Sequence, residues 1–124
     1  MRRTFAGLFE DANPDDRRPR LALESLHAWI RGELSMVECR TAAFAAHAAA
    51  RDAVEPAAIA AARATGQACA VAHMWNHCSH AADYAAKAVM LGSSDDPSAK
   101  QREREWQWEQ LREDLRELGF PKGE

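Results

Sequence analysis

The chain reads as an all-α protein, a single-domain bundle of five or six alanine-rich helices. Three observations predict this. Apolar residues return every three or four positions in the long segments, and no stretch alternates with the period of two that a strand needs. About a fifth of the 124 residues are alanine, the strongest helix former, an unusually high share for a globular domain. Proline, glycine and small polar residues cut the remainder into helix-length pieces.

The first piece, about Arg3 to Asp11, presents Phe5, Leu8 and Phe9 and is broken by Asn13-Pro14. The turn DDRRPR, Asp15 to Arg20, leads into a second helix over about 19–31. Pro19 lies in its first turn, where a missing N–H is harmless, and Gly32 ends it. Leu23, Leu26, Trp29 and Ile30 are its expected core face. Ser35 and Glu38 have the spacing of a capping box, so a third helix starts near Met36 and runs to about Arg51 or Ala53. Its expected buried seam is Val37, Phe44 and Ala48, with His47 on an adjoining stripe. Val54-Glu55-Pro56 stops it, and Pro56 opens a fourth helix at once.

That fourth helix leads into the stretch on which the functional reading turns, Arg63 to Lys87. His73, His77, His80, Tyr84 and Lys87 follow in steps of 4, 3, 4 and 3, which place them on one face of a continuous helix. Val71, Trp75, Cys78, Ala82, Ala85 and Val89 form the opposite, apolar face. A solvated face normally carries Lys, Glu and Arg, so a row of imidazoles and a phenol points to a pocket wall or contact surface. A continuous helix from Pro56 to Leu91 is long for a globular domain, and Asn76 and Ser79 are good N-cap types. A break near His77 takes His73 off the stripe. Gly66, within this helix, marks a close backbone approach.

Leu91-Gly-Ser-Ser-Asp-Asp-Pro is a stop and restart, with Asp96 as N-cap and Pro97 at the first helical position. A last amphipathic helix is expected over about 98–118, with Trp108, Leu111, Leu115 and Leu118 as its stripe. Its other face alternates in charge sign, as on a solvated helix strapped to a bundle. Trp106 lies off the stripe and is expected to be exposed.

Charge and composition exclude several functions. The net charge of -3 gives no electrostatic footprint for nucleic acid. No apolar run approaches the roughly 20 residues of a membrane span, so no membrane association is expected. Cys39, Cys69 and Cys78 are an odd set without CxxC spacing, which suits reduced thiols in a cytoplasmic protein. Cys69 or Cys78 beside a histidine has the elements of a thiolate nucleophile, but a small buried apolar role fits an alanine-rich helix better. His73 and His77 have the i, i+4 spacing of two metal ligands, and His47 is available as a third. The HExxH glutamate is missing, and polar contacts between helices are the favoured role. In the DDRRPR turn, Asp16 is expected to cap the next helix while an arginine pairs across the bundle. Arg63 lies among alanines and needs a partner, with Asp16, Asp52 and Asp83 as the acids considered.

DRRPR at Asp16 to Arg20, AAFAAHAAAR at Ala42 to Arg51 and the alanine-rich segment from Ala61 to Ala88 together resemble the immunity-protein family of bacterial polymorphic toxin systems. The resemblance covers about residues 15–89. It implies an all-α fold, no catalytic residue and no cofactor. It implies a non-enzymatic protein whose partner is a cognate toxin, with Asp16, Arg18, His47, Arg63, His73, His77, Tyr84 and Lys87 as the marked polar positions. His80 stands outside that pattern and extends the candidate surface. The alternative is a metal- or small-ligand-binding helical protein, with His47, His73 and His77 as metal ligands. Homodimerisation through the apolar helix faces is compatible with either reading.

Overall fold

The computed structural model describes residues 5–121, and the notional helix start at Arg3 lies outside them. Seven α-helices follow one another: α1 Phe5–Ala12, α2 Arg18–Ile30, α3 Met36–Asp52, α4 Pro56–Ala70, α5 His77–Gly92, α6 Pro97–Gln110 and α7 Arg116–Gly119. A single 3₁₀ turn, Glu113–Leu115, precedes α7. The all-α expectation holds, but the count exceeds five or six because the last helix is broken.

Local chemistry sets the boundaries. Ser35 Oγ accepts from the Glu38 N–H while Glu38 Oε1 accepts from the Ser35 N–H, so the capping box forms. Gly32, at φ +77°, closes α2: its N–H donates to Trp29 O and that of Glu33 to Ala28 O, the paired bonds of a Schellman end. Asp96 caps α6 through the Ser98 N–H at 2.9 Å. Asn76 precedes α5 but makes no side-chain cap.

α4 is the central helix, packed against α1, α2, α3 and α5; α6 and α7 lie on α5. The chain turns between Ala70 and His77. An unbroken 56–91 helix would extend about 54 Å, about twice the length of α3, and most of it would find nothing to pack on. Folding back lets α5 lie along α4.

The buried core is mainly alanine. Ala46, Ala49, Ala58, Ala61, Ala62, Ala64, Ala86 and Ala88 are fully or almost fully enclosed, with Leu8 and Phe9 of α1 as the large side chains at one end. Expected core faces therefore need correction. On α3, Val37 is 55% and Phe44 62% exposed, while Cys39, Ala43, Ala46, Ala49 and Ala50 are buried. On α2, Ile30 is exposed, Leu23, Leu26 and Trp29 are only partly covered, and Pro19 and Ala22 are buried. Trp75 faces outward from the α4–α5 turn. Small side chains let two helix backbones approach closely, and that close approach selects the alanine stripe over the bulkier one.

The C-terminal segment departs from a single helix at Leu111 and Arg112, whose ψ angles of 140° and 145° are extended. The reversal brings Phe120 against Trp108, with ring centroids 5.6 Å apart. A straight helix would have carried Leu115 and Leu118 past the end of the bundle. Among the described residues, no helix is long and apolar enough to cross a membrane.

Candidate functional site

The residues singled out in the sequence fall into three separate places, with His73 apart from all three on the α4–α5 turn. At the N-terminus of α2, Asp16 accepts from the Arg18 backbone N–H at 3.1 Å and from its guanidinium at 3.0 and 2.7 Å. Arg18 also donates to Asp52 Oδ2 at 2.9 Å, tying the start of α2 to the end of α3. The Arg18 guanidinium holds the Asp16 carboxyl below the usual carboxylate range, and the two carboxylates push Arg18 further up. The pairing across the bundle foreseen for DDRRPR is therefore made by Arg18, whereas the cap expected of Asp16 is not formed: Arg17 holds the N-cap position without a side-chain bond, and the Asp16 carboxylate is taken up by Arg18.

The second place lies between α3 and α4. Arg63 Nη1 donates to His47 Nδ1 at 2.9 Å, so the partner of Arg63 is a histidine and none of the three acids considered. Asp16 and Asp52 are engaged by Arg18, and Asp83 by Arg104. A guanidinium has no acceptor, so His47 must present an unprotonated Nδ1. Burial, with the positive charges of Arg63 and Arg51, holds His47 below the ordinary histidine value. Gly66 explains the geometry, because a Cβ there would meet the His47 ring at 2.6 to 2.8 Å. The imidazole lies flush on the α4 backbone. His77 Nδ1 pairs with Gln67 Oε1 at 2.7 Å, linking α5 to the neighbouring turn of α4.

Deeper in the α3–α4 interface, Cys39 and Cys69 meet at 3.0 Å between sulfurs, with S–H contacts to each other's carbonyl oxygens. Both are free and fully buried. Burial pushes the Cys69 thiol up, away from the nucleophilic thiolate.

The turn leaves His73 exposed beside Met74 and Trp75, off the stripe it would have shared in a continuous helix. Among the described residues, no three His, Cys, Asp or Glu side chains come together to hold a metal. His47, His73 and His77, the proposed ligands, do not form such a group, and His47 already has a guanidinium at its Nδ1.

The third place is a cleft of about 570 Å³ between α5 and α6, lined by His80, Asp83, Tyr84, Lys87, Lys100 and Arg104. His80, Tyr84 and Lys87 do share a face here, as their spacing predicts. Lys100 and Arg104 were not foreseen, since α6 reads as a solvated charged helix and its facing partner cannot be seen in a one-dimensional pattern. An apolar groove of about 390 Å³ lies farther along the same two helices, where Cys78 and Ala82 face Trp106, Leu111, Leu115, Leu118 and Phe120. Trp106 is partly exposed there, as expected.

Taken together, an alanine-cored helical bundle with a histidine-arginine contact inside and aromatic and cationic surfaces outside is a scaffold that offers surfaces. Residues 2–114 match the Imm-5 like putative immunity protein family, and the chain belongs to it. The match reaches beyond the 15–89 core of the sequence resemblance and takes in α6. Among curated proteins and among solved structures, none matches this chain.

Proposed function

We propose that this chain neutralises a cognate bacterial toxin by binding it, without catalysis of its own. One observation carries the reading beyond family membership: many large apolar side chains lie outside while the enclosed core is mainly small. Among the described residues, Phe44, Val37, Ile30, Met74, Trp75, Trp106 and Leu118 are exposed, while the enclosed core is mainly alanine. Aromatic residues and methionine are enriched in interface centres, and an exposed apolar group has little to gain until a partner covers it. The Ala70–His77 turn supplies the anchor chosen for the test. Trp75 is 59% exposed there, flanked by His73 and Met74, in a turn where the N–H groups of His73 and Met74 donate to Ala70 O and that of His77 to Met74 O.

A rigid scaffold carrying a few large anchors meets the requirements of an inhibitor, because little side-chain entropy is lost on docking. The test is co-expression and pull-down with candidate toxins from the source bacterium. A stoichiometric complex that abolishes toxin activity is expected, with Trp75→Ala weakening it at least about tenfold. Toxin inhibited at substoichiometric amounts of this chain, with turnover, would overturn the binding reading.

A further inference from the structure

We propose that the cleft between α5 and α6 is a binding site for a small molecule carrying a phosphate-type oxyanion with two or more negative charges. This inference stands apart from toxin binding.

Three cationic side chains, Lys87, Lys100 and Arg104, converge on the cleft from two helices, against the single carboxylate of Asp83. Two positive charges remain uncompensated, on a chain whose net charge is -3. The three cations differ in role. Arg104 is largely covered, with its side chain 19% exposed, and is fixed by a 2.7 Å bond from Nη1 to Asp83 Oδ1. Its Cζ also sits 5.1 Å from the centroid of the Phe120 ring. The guanidinium is thus pre-aimed, and only part of its donor fork is used by Asp83. Lys87 and Lys100 are exposed and have no ion-pair partner among the described residues, so they remain available as mobile point charges. The Tyr84 hydroxyl, also unpartnered among the described residues, adds a neutral donor on the same wall.

Charge selects among anions. A monocarboxylate would leave one positive charge unmatched, whereas a phosphate monoester dianion would match both and the more highly charged pyrophosphate would more than match them. Phosphate oxygens also accept from several donors at once, which suits two lysines, one arginine and a phenol arranged around a common space. The cleft volume lies in the range of small-molecule sites and exceeds what phosphate alone would fill, leaving room for the group that bears it.

The test uses the full chain without any toxin, titrated with inorganic phosphate, pyrophosphate and acetate at matched ionic strength and followed by calorimetry and amide NMR. Saturable binding is expected in the order pyrophosphate, phosphate, acetate, with shifts confined to α5 and α6. Lys87→Ala combined with Lys100→Ala should weaken pyrophosphate binding at least tenfold, and Tyr84→Phe by a few-fold. The matched control, Arg17→Ala with Arg51→Ala, removes the same charge from exposed positions elsewhere and should leave affinity within about twofold. No saturable pyrophosphate binding, equal binding of acetate, or equal loss in the control pair would each overturn the site. An acidic peptide that binds here while pyrophosphate does not would overturn it too.

Discussion

The α3–α4 interface and the α5–α6 interface are both helix pairs in one small bundle, yet they are built on opposite plans. Between α3 and α4 the contact is made by Ala46, Ala49, Ala61 and Ala62, two free thiols in contact with each other, and an imidazole resting on Gly66. The buried residues around the two thiols are alanines, with Leu26, Trp29 and Leu34 closing over them from outside. Between α5 and α6 the helices are held by longer polar arms, Arg104 to Asp83 and Gln107 Nε2 to Ala82 O at 3.1 Å. Space remains on either side of those bonds, polar in one direction and apolar in the other. Close packing of small groups gives rigidity, and polar arms at a distance leave room for ligands.

The largest expected effect comes from placing one larger residue in each interface. Ala61→Leu, in the fully buried contact, should cost about 3 kcal/mol by urea denaturation, because the added atoms have no void to enter. Ala82→Leu, facing the apolar groove, should cost less than about 1 kcal/mol. Equal losses at the two positions would mean the interfaces do not differ in packing.

Next comes Gly66. Gly66→Ala should destabilise by about 1–2 kcal/mol, the collision with His47 outweighing the helix-propensity gain of about 1 kcal/mol. In a His47→Ala background the collision is gone, and the same change should become stabilising. Double-mutant thermodynamics reads this reversal of sign.

Acidification probes the same interface. Folding depresses His47 below its ordinary value of 6.5, so the unfolded chain binds the proton first. That contribution is complete above about pH 6.5 and is lost as pH falls through the window beneath it. Asp16 is also depressed, and its contribution is lost below about pH 3.8. Thermal melting should therefore decline in two stages on acidification, with His47→Gln flattening only the upper one. Asp16→Ala should cost about 1 kcal/mol at neutral pH and shrink the lower stage, to which Glu33, also depressed by its Arg31 partner, still contributes.

The smallest stability effect belongs to the cleft. Lys87→Ala and Lys100→Ala should each stay within about 0.5 kcal/mol of the parent in melting experiments, because both are exposed and unpaired among the described residues. A marked loss of stability would show that the lysines hold α6 to α5.

Legibility in the sequence followed the range of each interaction. The capping box at Ser35 and Glu38, the Gly32 end, the Asp96 cap and the prolines opening α4 and α6 were all readable, since each joins residues only a few positions apart. The link between His80, Tyr84 and Lys87 was readable for the same reason. The membership of His73 in that group was lost to the turn at Ala70–His77. The pairing of Arg63 with His47 was not readable, although Gly66 marked the close approach that creates it. The break at Leu111 was hidden because Trp108, Leu111, Leu115 and Leu118 keep helical spacing straight through it.

The sequence by itself determined that the chain is helical, where most helices begin and end, and the family to which it belongs. These follow from hydrogen bonds within one turn of the backbone and from residue patterns that carry their own signature. Tertiary structure alone decided which faces became the core. In helices where alanine lies on every side, amphipathic spacing cannot choose the buried stripe, and Val37 and Phe44 look like better core residues than Ala43 and Ala46. The choice is made when two backbones approach closely enough that only small side chains fit between them. That selection also turned the large residues outward and brought Lys100 and Arg104 opposite Tyr84 and Lys87.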